Sequence, residues 1–252
     1  MRLPPATSVQ RPGQTGGVGV DEQAAVAARV PGAAALGLLA PPSAEAVPAT
    51  VLADPGWTTR RVAELGVRYR SADRPALATV WWYSASSVLL TPALAGLVTG
   101  RPLSARLADT TLALLAGGLP VAATATAPGE DLAAELRESL AAVVGTVAAV
   151  GGLRPRPLWA VATDSVANRL LALGRALGDV GGASALAAPL VAAVGPPMPA
   201  PRFVDVAGAR FTDRVSCCRL YRLPPEPLCT SCPRRPAAHR RVLLEDAAER
   251  MR

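Results

Sequence analysis

Every cysteine of the 252-residue chain falls in one stretch near its C-terminal end: Cys217, Cys218, Cys229 and Cys232, in the pattern C-C-x10-C-x2-C with Pro233 directly after. Thiolates are soft metal ligands, and four thiols this close, with none elsewhere, read as the donors of one metal centre rather than as scattered core residues. Cys229 and Cys232 can turn their sulfurs toward a common point, as in many zinc and iron–sulfur sites. Cys217 and Cys218 are less ordinary. Adjacent side chains of a regular strand point to opposite faces, so both reach one centre only where the backbone bends. A cluster of two irons accommodates such a pair better than one tetrahedral zinc, because the two thiolates can serve different metals. Pro224, Pro225 and Pro227 stiffen the connection and lower the entropy cost of closing it. Zinc is the second reading, and disulfides or free thiols the third. Neighbouring cysteines bridge only under strain, and Met1-Arg2-Leu3-Pro4-Pro5 has no apolar run of a secretion signal behind it.

Other chemistries find less support. His239 is the only histidine; beside Arg240 and Arg241 it reads as a surface residue, and four thiols already complete a donor set. A Ser-His-Asp triad would have to use that one residue, and no nucleophile-elbow sequence is present. Neither a Walker-type loop nor a G-x-G-x-x-G fingerprint occurs, so a redox function needs electrons from a reduced partner. No acid–base catalytic residue is expected.

The charge is concentrated where the cysteines are. The chain carries a formal +7 with no lysine at all. Over residues 202–241, nine Arg stand against Asp205, Asp213 and Glu226, a surplus of six positive charges. Such a face attracts acidic electron donors or small anionic ligands, and raises the potential of a nearby cluster by favouring its reduced form. A solvated, arginine-biased surface without a partner explains the charge equally well. Nucleic-acid binding is disfavoured, since Tyr221 is the only aromatic near the patch and stacking platforms need more.

The elements that must position this stretch are rich in Ala, Leu and Val, with aromatics at only 4%. Residues 1 to about 20 read as disordered and 1–50 as loosely structured, with a short helix after Asp21-Glu22; a body over 51–200 and a cysteine segment over 201–252 follow. Thr58 can cap a short helix ending near Arg70. Residues 75–100 carry no charge; Pro92 and several Ser and Thr argue for a buried helix broken or kinked near Thr91-Pro92 rather than a membrane span. Trp81, Trp82 and Tyr83 read as core, with a substrate-facing role as the alternative. Gly117-Gly118 between short apolar runs predicts a hairpin, with Pro120 at an edge or strand start. Leu132, Leu136, Leu140, Val143, Val147 and Val150 mark one face of a helix. Trp159, Ala162, Val166, Leu170, Leu173 and Leu177 mark the next, packing on the first or on the hairpin, with Asp164, Asn168, Arg169 and Arg175 on a solvated side. A third Ala-rich helix over 183–194, a hairpin around Gly208, and a terminal helix with Val242, Leu243 and Ala247 inward complete an α+β fold: mainly Ala/Leu-rich helices, a small antiparallel sheet and a C-terminal iron–sulfur segment.

The run S-C-C-x-x-Y-R, a proline-bearing spacer and C-x-x-C-P resemble the C-terminal motif of the FhuF-like ferric siderophore reductases. Arg214, Tyr221, Arg222 and Pro233 match flanking positions, while Arg219 and Arg234 stand where that family usually shows apolar residues. Element order and the Trp-to-Gly stretch of 81–100 are similar more diffusely. The resemblance implies a [2Fe-2S] cluster on Cys217, Cys218, Cys229 and Cys232, and an oxidoreductase passing one electron to siderophore-bound Fe(III). Reduced ferredoxin, or a ferredoxin- or flavodoxin-type reductase, is the implied donor. A cytoplasmic protein is expected, with at most peripheral membrane association and no span. Two alternatives carry no redox activity: a zinc-stapled, Arg-rich module for an acidic partner or nucleic acid, or a structural cluster on a protein that binds a siderophore biosynthetic partner.

Overall fold

A computed structural model describes residues 17–251. Helix α3, Arg74–Thr99, is the axis of the molecule. Asp73 caps it, accepting from the Ala76 amide at 3.1 Å, and Gly100 ends it in a left-handed conformation at φ 70°. Most of its side chains are buried around the whole circumference, the signature of a helix enclosed by neighbours. It is one continuous helix through Pro92, without the break that was one form of the expectation; the Thr91 hydroxyl donates to the Ser87 carbonyl at 2.8 Å one turn back. Trp81 and Trp82 are core residues, and the Trp82 indole donates to the Leu158 carbonyl at 2.9 Å. Among the described residues no helix is long and apolar enough to cross a membrane.

Around α3 lie α2 (Pro55–Tyr69), α4 (Leu132–Gly151) and α5 (Pro155–Leu177). Asp54, not Thr58, caps α2 by accepting from the Trp57 amide. Thr58 is buried and donates to the Leu52 carbonyl. Helix α4 begins where its apolar stripe predicts, with Asp131 accepting from the Ala134 amide at 3.0 Å. The stripe of α5 packs chiefly along α3. A hydroxyl pair, Ser86 and Ser165 at 2.8 Å, bonds across that seam.

The sheet has the antiparallel order β1-β2-β3, from Glu45–Pro48, Thr110–Leu114 and Pro120–Ala125. Gly117 and Gly118 supply the two positive φ values, 87° and 73°, that a tight hairpin turn needs. Pro120 opens an edge strand, where its missing amide costs no ladder bond. The helix expected after residue 20 is α1, Gly17–Ala27. The chain from here to β1 is folded onto the body rather than loose, because Val26, Val30 and Leu38 are buried in the main core. Gln23 ties it down, donating to the Leu38 and Ala123 carbonyls at 2.9 and 2.8 Å and accepting from the Ala125 amide. The disorder expected of residues 1–16 lies outside the described residues.

The Ala-rich segment divides at Leu186 into α6 (Val180–Ala185) and α7 (Ala187–Val194). The second hairpin, β4 (Phe203–Val206) with β5 (Ala209–Thr212), carries α8 (Ala237–Glu249) on it. The inward residues of α8 are Leu244 and Ala248 against Val206 and Phe211, with Ala247 packed beside them as expected; Val242, expected inward, is 53% exposed.

Candidate iron–sulfur centre

The site is built where the chain leaves β5 and crosses the middle of α5. Asp164 of α5, expected on a solvated face, is 1% exposed and is the anchor. Its carboxylate accepts from the Val215 amide at 2.9 Å, the Ser216 amide at 3.0 Å and the Ser216 hydroxyl at 2.5 Å. It also pairs with the Arg214 Nε at 3.3 Å. The start of the cysteine loop is thereby fixed to a rigid helix at a point with no solvent to compete.

Arg214 reaches past Asp164 to the thiols. It is itself only 3% exposed, with Nη1 at 3.8 Å from the Cys218 sulfur and 3.5 Å from the Cys229 sulfur. Its guanidinium also lies 4.8 Å from the ring centroid of Tyr83 on α3. Burial works against its charge, but Tyr83, Cys218, Asp164 and Cys229 outweigh it and push its pKa up. Burial pushes the Tyr83 phenol up as well. A permanent positive charge is thus held at the sulfurs.

The backbone bend that adjacent cysteines require is present. Arg219 sits in the left-handed region at φ 60° and leads into a short 3-10 turn, Leu220–Arg222. The Arg219 amide then hydrogen-bonds Cys217 and the Leu220 amide Cys218. Across from them, the C-x-x-C turn closes through the Cys232 amide on the Cys229 carbonyl at 3.1 Å. Arg235 braces it, donating to the Leu228 and Cys229 carbonyls. All four cysteines are free; Cys218 and Cys232 are buried, Cys217 and Cys229 half-buried. Cys229 hydrogen-bonds Cys218, and this contact, with the Leu220 amide and Arg214, holds the Cys218 thiol down to about 5 against the effect of burial. The same contact with Cys218 pushes Cys229 up, and burial does so for Cys217. Among the described residues no three Cys, His, Asp or Glu side chains converge on a single-ion position; the sulfur contact is pairwise.

Four free thiols, amides aimed at two of them and a buried guanidinium at the sulfurs suit a thiolate-bound, negatively charged centre. That is the donor chemistry of a thiolate-held metal centre. Residues 214–234 match the family model described as FhuF 2Fe-2S C-terminal domain, and the cofactor it indicates is a [2Fe-2S] cluster. No curated protein and no solved structure matches the chain.

Trp81 and Trp82, the substrate-facing alternative, are away from the surface altogether. His239 is exposed, with Nδ1 at 3.4 Å from Arg235. Sequence reasoning missed Asp164 as a site residue and named Tyr83 only as core or substrate-facing, not as a partner of Arg214.

Proposed function

We propose that the chain is a [2Fe-2S] oxidoreductase that delivers single electrons to Fe(III) held in a siderophore, with Cys217, Cys218, Cys229 and Cys232 as the cluster ligands. When bound, the cluster supplies one-electron transfer. The observation that carries the reading is the charged, solvent-excluded network at the thiols: Asp164 orders the loop and Arg214 places a positive charge against Cys218 and Cys229. Cys217 borders an open cavity and gives the electron its way out, while Cys218 and Cys232 are shielded from solvent. No side chain has to move a proton. Fe(II) binds hard oxygen chelators weakly, so reduction releases the metal. The donor is a reduced ferredoxin or a ferredoxin- or flavodoxin-type reductase, and the setting is cytoplasmic.

The test is iron and acid-labile sulfide analysis of anaerobically prepared protein, with visible and EPR spectra before and after dithionite. Mixing the reduced protein with a ferric siderophore and an Fe(II) trap follows. Paired iron and sulfide, bleaching on reduction and trapped Fe(II) are expected, with iron content falling in each single Cys→Ser variant. A colourless zinc protein, or an iron protein that reduces no ferric siderophore, refutes the proposal; the zinc form with salt-sensitive binding to RNA or DNA is the signature of the Arg-rich binding module.

A further inference from the structure

We propose that the substrate is a negatively charged ferric chelate and that it seats in the arginine-lined cavity beside Cys217. This rests on the reductase reading above and adds to it the charge class of the substrate and the place it occupies. The cavity, of about 590 Å³, lies between the first turn of α5 and the 219–222 turn. Arg154, Arg156, Arg219, Arg222 and Arg234 surround it, Cys217 is part of its wall, and no Asp or Glu lines it.

The local energetics oppose this arrangement unless an anion completes it. Arg222 pairs with Asp73 at 2.6 Å and Arg234 lies 5.0 Å over the Tyr221 ring. Arg154, Arg156 and Arg219 have no carboxylate partner among the described residues. Exposed arginines such as Arg60, Arg68 and Arg74 also lack one, so what distinguishes these three is that they line one cavity with no acid in its wall. Arg154 and Arg156 also flank the start of a 23-residue helix, with Arg154 at its N-cap making no side-chain cap bond. Cations there oppose the helix dipole. Arg219 adds a left-handed backbone. Three unpaired guanidiniums gathered against helix and backbone preference mark a place kept for function rather than for stability.

The occupant is small. Small-molecule sites are concavities of roughly 300–1,000 Å³, and this one falls in that range, whereas a protein partner needs a broad complementary face. Guanidiniums suit carboxylate and other anionic oxygen groups through paired N–H donors. A chelate held there lies against Cys217. One electron leaves the reduced protein and converts Fe(III) to Fe(II); no bond of the chain forms or breaks.

Charge is separated from driving force by two probes with the same iron coordination: ferrioxamine B, a singly cationic trihydroxamate, and its N-succinyl derivative, singly anionic. Reduced, cluster-loaded protein is mixed with each in a stopped-flow instrument over a range of salt. The anionic probe should react faster by about tenfold or more at low ionic strength, the gap closing as salt screens it. Arg154→Gln with Arg156→Gln should remove most of that advantage. Arg60→Gln with Arg68→Gln, the same charge change on exposed α2 positions, should leave it in place. Binding of the redox-inert Ga(III) complex of the succinyl derivative, followed by calorimetry, should weaken in the first double variant alone. Equal rates for the two probes, or an anionic advantage that survives R154Q/R156Q, overturns the pocket while the reductase reading stands. If neither probe oxidises the protein, the reductase reading fails and the pocket assignment with it. If R154Q/R156Q slows only re-reduction by ferredoxin, the cavity is the donor's dock and the proposal is overturned.

Discussion

Replacing Asp164 by Asn keeps the side chain's shape and removes the feature on which the cysteine loop depends. Four donors converge on its two oxygens: the Val215 and Ser216 amides, the Ser216 hydroxyl and the Arg214 Nε. Asparagine offers one acceptor and turns an N–H₂ toward groups that are themselves donors. The Arg214 charge, 3% exposed, loses its carboxylate. Breaking one side of a buried ion pair costs about 3–5 kcal/mol. Spread over a chain of this size, with about 2–4 °C per kcal/mol, the melting temperature should fall by about 6–20 °C if the loop unfolds with the body. If the loop detaches alone, the same free energy appears as lost iron with helical circular dichroism retained. Thermal melts and iron-to-protein ratios of D164N, prepared anaerobically beside the parent, read both outcomes. A D164N protein with full iron content and a melting temperature within about 2 °C of the parent would refute the anchoring role.

Two further expectations follow from the same contacts. Arg214→Gln should lower the cluster potential by on the order of 60 mV, because a charge-assisted contact of about 1.5 kcal/mol that favours the more negative reduced form is lost. Arg214→Lys, which keeps the charge, should lower it less, and an EPR-monitored redox titration in which the two variants and the parent agree would remove Arg214 from the tuning of the site. Trp82→Phe deletes the indole bond to the Leu158 carbonyl and should destabilise the fold by about 1–3 kcal/mol, while leaving the rate of ferric chelate reduction at the parent value. A slowed reduction at unchanged stability would return Trp82 to the substrate side.

What the sequence disclosed was local; what it hid was long-range. The C-C-x10-C-x2-C spacing, the Gly117-Gly118 turn and the stripes of α4 and α5 are patterns within one element or loop, where residue type and period determine the outcome directly. Asp164 was misread because a helical stripe identifies the face that packs on the body and cannot foresee a loop from residues 214–216 covering the other face. Tyr83 was grouped with its tryptophan neighbours, yet its ring turns toward Arg214, a contact between residues far apart in the chain. The first fifth of the chain looked loose because it is rich in Pro, Gly and Gln, with Pro41-Pro42 and Pro48 marking a loop. Gln23, a polar residue by any scale, is what locks it to the sheet. In α8 the apolar run of Val242, Leu243 and Leu244 was ambiguous by one position, and only the hairpin it covers selects Leu244.

Helix α5 carries Arg156 in its first turn and Asp164 eight residues on, about 12 Å along the same rod. One rigid strut therefore fixes the arginine-lined wall of the cavity relative to the point where the cysteine loop is anchored. Exchanging residues in that first turn would change the charge of the cavity wall while leaving Asp164 and its contacts in place. The charge of the cavity wall can therefore change by surface substitutions that leave the anchor of the cysteine loop intact.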